Sequence, residues 1–263
     1  MRGIVLLMLL LSAPSPGFAQ TGGFDRAAFD AYVESLGGLD APRAYGYRGT
    51  VYDVPSGRVV ARVEGYQIAR AFRDAARPDE AVLVRRAFLI YRAAESEAVL
   101  AYYPDIREKT IGRPPLSVVR LTLAGDRVTT RAVTGLGGKP TSISLPEQLS
   151  AAREGAAFVF RRVLAPPDPQ QQPVEITETV RRAEGAPPER IRTTMTKVAN
   201  NQSFLPPGGR HLLHLVWRPA ARFEDLPAGV QKLIEAEAPM MKSLPETLAA
   251  ALAEAGLDRL PEN

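Results

Sequence analysis

Apolar and polar positions recur with two different periods along this chain, and the change of period divides it. Phe29, Tyr32, Val33 and Leu36 recur at helical spacing and predict a helix over Asp25 to Leu36. Asp25 is placed to cap its first free N–H groups, Phe24 and Phe29 stand at hydrophobic-staple positions, and Gly37-Gly38 ends it. From Tyr45 the period falls to two. Strands are expected over Tyr45 to Val54, Arg58 to Val63, Ala81 to Tyr91, Ala98 to Tyr103, Leu116 to Leu123 and Arg127 to Val133. Four more follow at Ala157 to Leu164, Val174 to Arg182, Arg190 to Val198 and His211 to Arg218. Turn residues such as Pro55-Ser56-Gly57 and Ala124-Gly125-Asp126 separate them, and the gaps are too short for crossover helices.

This pattern predicts a mainly β fold: an antiparallel meander forming an open or lipocalin-like barrel, with an N-terminal helix and C-terminal helices packed on it. The helical tail is expected over residues 226–256. Pro227 to Ala238 carries Val230, Leu233 and Ile234 on one face, and Pro239 stops it. Ser243-Leu244-Pro245-Glu246 reads as a capping box opening a second helix in which Leu244, Leu248 and Leu252 stack. The same tetrad at Ser144-Leu145-Pro146-Glu147 predicts a short helix between the two groups of strands, and Pro166 to Pro173 a loop.

The first residues follow neither period. Arg2, the apolar run from Ile4 to Leu11, the breakers Pro14, Pro16 and Gly17, and the small residue Ala19 form a three-part export signal. The expected arrangement is a signal peptide over 1–19, cut after Ala19, and a single β-rich domain over 20–263 in the periplasm or outside the cell. The run is too short to span a bilayer, so no transmembrane segment is expected after cleavage. With no cysteine, the chain has neither a lipoprotein anchor, a disulfide framework nor a thiol nucleophile.

The formal charge is +4, and Lys and Arg number 33 against 29 Asp and Glu. The two signs are interspersed, with no basic run that would follow a phosphate backbone, so nucleic acid is not an expected partner. Gly135-Leu136-Gly137-Gly138-Lys139-Pro140 lacks both the leading glycine and the Ser/Thr of a phosphate loop and reads as a turn. There is no Gly-x-Ser-x-Gly elbow. The only histidines, His211 and His214, are three apart on a predicted strand and so point to opposite faces. No metal and no cofactor are expected.

Arginine pairs inside strands are the sharper signal. Arg85-Arg86 puts one guanidinium on each face of a strand that is otherwise apolar on both. Val82, Val84, Phe88 and Ile90 accompany Arg86, while Leu83, Ala87, Leu89 and Tyr91 accompany Arg85. A buried guanidinium requires a partner. Either a carboxylate such as Glu64 or Asp53 neutralises it, or it lines a wet cavity and meets an anion. Arg70 and the tyrosines Tyr66, Tyr91 and Tyr103 come from neighbouring segments. The candidate ligand site is therefore Arg70, Arg85, Arg86, Tyr66, Tyr91 and Tyr103.

Gly49-Thr50-Val51-Tyr52, Glu64-Gly65-Tyr66, Arg70, Tyr91 and Tyr103-Pro104 together make a recognisable text. With Glu224-Asp225-Leu226-Pro227 and Ile234-Glu235-Ala236-Glu237-Ala238-Pro239, they resemble the bacterial domain-of-unknown-function family 1838 from about Phe29 onward. That resemblance implies an exported protein and supplies no reaction, cofactor or substrate. The family's text is rich in tryptophan before the last strand, whereas Trp217 stands alone here, as in a divergent member.

Three functions stay open on the residues. The first is non-covalent binding of a small, partly apolar molecule in the barrel, acidic if an arginine meets it. The second is a non-metal enzyme of isomerase, lyase or hydrolase type, with Tyr91 or Tyr103 as acid/base and Arg70 or Arg85 stabilising negative charge. The third is a cell-envelope interaction module using proline-rich loops and the helical tail.

Overall fold

The computed structural model describes residues 23–54, 56–103, 116–134, 141–143, 147–164, 174–181, 189–200, 210–220 and 223–260. The signal segment, the Gly135–Pro140 turn and the Pro166–Pro173 loop fall outside them. The order is α1 (Arg26–Gly37), β1 (Arg43–Asp53), β2 (Val59–Phe72), β3 (Glu80–Ala93), β4 (Val99–Tyr103), β5 (Ser117–Ala124) and β6 (Arg127–Thr134). Next come β7 (Thr141–Ile143), β8 (Glu147–Glu154), β9 (Ala157–Leu164), β10 (Val174–Arg181), β11 (Glu189–Asn200) and β12 (Arg210–Ala220). Helices α2 (Ala228–Glu237) and α3 (Leu248–Glu254) close the chain.

All described strands belong to one antiparallel sheet of order β7-β6-β5-β3-β2-β1-β12-β11-β10-β9-β8, curled into a half-barrel. The predicted open β architecture is the observed one. β4 stands off this path: β3 pairs with β5 through Glu80–Arg85 and with β4 through Leu89–Arg92, along the same edge. Glycines help the sheet bend. A Cβ on Gly65 would strike the Phe88 carbonyl oxygen and come within 2.7 Å of Leu89 Cδ2. The ring of Tyr47 lies over the same bare backbone, 3.0 Å from where that Cβ would be. Gly49 is equally closed, against the His214 carbonyl oxygen and Leu215. Only glycine permits such close approach inside a strand.

Helix α1 sits inside the curl. Its apolar cluster takes Ala69, Leu83, Val119 and Val128 from one arm and Ala151, Phe158, Phe160 and Val180 from the other. Phe24 stacks on Phe160 with ring centroids 5.5 Å apart, and Tyr32 meets the same ring at 4.9 Å. The predicted stripe is therefore part of a wider buried surface, since Ala28, Ala31 and Ser35 are also covered by the enclosing sheet. The remaining strip is polar and tied to the β2–β3 connection: Arg26 to Asp79, and Arg73 Nη1 to Asp30 Oδ1 at 2.7 Å. Asp25 caps the helix by accepting from Ala28 N at 2.7 Å, and Gly38, with φ +65°, ends it.

Helices α2 and α3 pack on the outer face of the first arm. Val230, Ile234, Met241, Leu244 and Ala251 join Tyr66, Ile68, Val84, Phe88, Ile90 and Val118. Pro227 and Pro239 bound α2 as expected.

Two capping expectations need correction. The segment after Ser144 forms strand β8, not a helix. It pairs with β9 from Glu147–Leu164 to Glu154–Ala157, setting Ala151 opposite Phe160 in the core. A two-residue period directed at that core outweighs a local capping signal. Downstream, Ser243 does not open α3. Thr247 does, its side-chain oxygen accepting from Ala250 N at 3.2 Å, so Leu244 packs ahead of the helix.

Candidate functional site

Strand β3 carries the candidate site because its two faces meet different surroundings. Its pairing with β2 sets Ala69 opposite Arg85, Gln67 opposite Ala87, Gly65 opposite Leu89 and Val63 opposite Tyr91, all on the inner face. Ile68, Tyr66 and Glu64 stand opposite Arg86, Phe88 and Ile90 on the outer face. On the outer face Val84, Phe88 and Ile90 are fully covered by the C-terminal helices. On the inner face Arg85 and Ala87 stay half-buried, while Leu89 and Tyr91 keep 8 % and 6 % of their surface.

The six predicted residues do not converge. Arg85 and Tyr91 share the inner face, six residues apart on one strand, or about 20 Å. Arg86 and Tyr66 lie outward beneath the C-terminal segment. Arg86 is neutralised by Glu254 of α3, not by Glu64 or Asp53. Glu64 instead lies 3.7 Å from Arg92, and Asp53 accepts from the Ser56 hydroxyl. Arg70 donates to the Asp40 carbonyl at 3.3 Å and lies 5.5 Å from the Phe72 ring centroid. Tyr66 packs edge-on against Phe223 at 6.3 Å, and burial, helped by Glu224, pushes its hydroxyl up to about 12. Tyr103 has its backbone opposite Leu89, and its side chain lies outside the described residues.

Arg85 differs from the other arginines of this group. Among the described residues it shows no hydrogen bond, ion pair or ring contact, although it is half-buried. Its inner-face neighbours are Leu83, Ala87, Ala69 and Ser117. Beyond Ala87 the same face is mostly apolar and buried, and within it the Tyr47 hydroxyl donates to Gln67 Oε1 at 2.6 Å. Ala87, next to Arg85 on the same face, is only partly buried. What the arrangement can do is hold an anion beside apolar surface, because a guanidinium offers paired donors to a carboxylate.

The histidines divide as their spacing predicts: His211 is buried at 2 % exposure and His214 is half-buried. Among the described residues no group of three His, Asp or Glu side chains could hold a metal ion, and no helix is long and apolar enough to cross a membrane. The sequence pattern does not single out the buried polar residues Gln67 and Glu178. The Arg85/Arg86 alternation showed that the two guanidiniums diverge. Which of them turned inward depended on where the C-terminal apolar stripe docks. No family model, curated protein or solved structure matches the chain.

Proposed function

We propose that this is an exported binding protein that holds a small, partly apolar acidic molecule, without covalent chemistry, on the inner face of its half-barrel. The observation that carries the reading is Arg85, a half-buried guanidinium for which the described residues show no partner, set beside the partly buried Ala87. Ligand sites are mostly apolar concavities with a few convergent polar groups. The enzyme reading is less supported. Tyr91 and Arg85 stand about 20 Å apart along β3 and do not address one reacting bond. Thermal-shift measurements with a panel of aromatic and aliphatic acids test the proposal. Some of these acids raise Tm in the natural protein and not in Arg85→Gln. If none raises Tm in the natural protein, the binding reading fails.

Export is part of the same proposal. Cleavage after Ala19 leaves Phe24 and the Asp25 cap of α1 intact, so the mature chain keeps every core residue among those described. Peptide mapping of protein from its native host should begin at Gln20. Retention of the Ile4 to Leu11 run in the purified protein would contradict it.

A further inference from the structure

We infer that the molecule held at Arg85 is a short 2-hydroxy carboxylic acid, its carboxylate on the Arg85 guanidinium and its hydroxyl on Ser117. The inference rests on the binding reading above and adds the size and the second polar group of the ligand. Size follows from what is closed around the site. Arg85, Ala87 and Ser117 are neighbouring inner-face positions that stay half-buried, with Arg85 directly opposite Ser117. The positions around them, Leu83, Val119, Ala69, Gln67 and Leu89, are all buried. A Cβ on Gly37 would stand 2.5 Å from Leu83 Cδ1, so the end of α1 fills that side. From Arg85 to Ala87 is two residues, about 7 Å, and neighbouring strands lie about 4.8 Å apart. An acid of about three or four carbons covers that area, whereas a longer one would have to cross buried side chains.

The sheet divides at this place. β3 pairs with β5 as far as Arg85–Ser117 and with β4 from Leu89–Tyr103, so among the described residues Arg86–Phe88 has no strand partner on that edge. Beside the break stand two polar side chains. Among the described residues neither the Arg85 guanidinium nor the Ser117 hydroxyl shows a hydrogen bond. Directly opposite residues hold their Cβ atoms about 4.5–5.5 Å apart, close enough for one small molecule to meet both. The paired donors of the guanidinium take a carboxylate. The serine hydroxyl, which both donates and accepts, then meets a polar group next to that carboxylate, and a 2-hydroxyl stands there. One positive charge beside Leu83, Ala69 and Ala87 matches one negative charge, and a doubly charged phosphate would leave the second unmatched in apolar surroundings.

Titration calorimetry with lactate, propanoate, octanoate and inorganic phosphate tests this. Lactate should bind about three- to tenfold more tightly than propanoate, the share of one neutral hydrogen bond. Ser117→Ala should bring lactate down to the level of propanoate and leave propanoate unchanged. Arg85→Gln should weaken both acids about tenfold or more, as expected for loss of a charge-assisted contact. Octanoate should bind no more tightly than propanoate. Equal affinity for lactate and propanoate, both lost in Arg85→Gln, would overturn the 2-hydroxy acid and leave the binding reading standing. Octanoate binding more tightly than lactate would overturn the compact site, and phosphate binding more tightly than lactate would overturn the carboxylate. If none of the four binds, this inference falls, and the thermal-shift panel decides the binding reading separately. Arg85→Gln and Ser117→Ala break no side-chain hydrogen bond shown among the described residues, so their melting temperatures should match that of the natural chain and serve as the folding control.

Discussion

Arg86 donates to the carboxylate of Glu254 across 168 residues of chain, tying α3 to the outer face of β3. The Arg86 side chain is 7 % exposed and that of Glu254 44 %. Glu254→Gln leaves a covered guanidinium short of its negative partner, which should cost about 1–3 kcal/mol. The low end is favoured because water reaches the glutamate side of the pair. Arg86→Met combined with Glu254→Gln should lose less than the two single changes added together. Urea denaturation of the four proteins measures this, and strict additivity would show that the pair is not coupled.

The start of α3 gives a second test. Thr247→Ala removes the side chain that accepts from Ala250 N and should cost about 1 kcal/mol. Ser243→Ala should cost under about 0.5 kcal/mol, because Ser243 caps no helix N-terminus. The reverse order of the two effects would restore Ser243 as the cap.

Bending of the sheet at Gly65 can be separated from ordinary glycine flexibility. Gly65→Ala places a methyl against the Phe88 carbonyl and should cost more than about 2 kcal/mol. Gly57→Ala, at a turn with φ +67° and open space around it, should cost only about 1 kcal/mol. Equal losses at the two sites would mean that close approach does not set the curl.

Tyr66 makes stability depend on alkaline pH. Its hydroxyl keeps its proton up to about 12 in the folded chain, first because burial penalises the phenolate and second because Glu224 is near, against 10.0 when free. Between these values the unfolded chain gives up a proton that the folded chain retains. The stability this contributes is therefore complete below pH 10 and declines as the pH rises toward 12. Tyr66→Phe should flatten the fall in denaturation midpoint over that window. An unchanged slope would show that Tyr66 titrates alike in both states.

Much of the fold is legible in the sequence, because runs rich in aromatic and β-branched residues, separated by turn residues, mark strands such as β1, β3, β5, β6 and β9. Asp25 and Gly38 punctuate α1 as their chemistry requires. The misreadings share one cause. The tetrads at Ser144 and Ser243 carry the same local capping chemistry, yet one precedes a strand whose Ala151 is needed in the core and the other stands ahead of a helix that Thr247 opens. Local signals lost where tertiary packing had a stronger claim. The candidate site was legible by half. Alternation separated Arg85 from Arg86, but the face that the last helices would cover is a long-range property. So the partner of Arg86 proved to be Glu254, and Tyr66 went outward with it.

The central claim is that Arg85 holds an acid on the inner face of the half-barrel. Native mass spectrometry of the protein purified from its own host tests it most directly, with Arg85→Gln purified in parallel. The natural protein should carry an adduct that dissociates as a small acid, and Arg85→Gln, equally folded, should arrive without it. Bare natural protein, or the same adduct at the same occupancy on both proteins, would contradict the account.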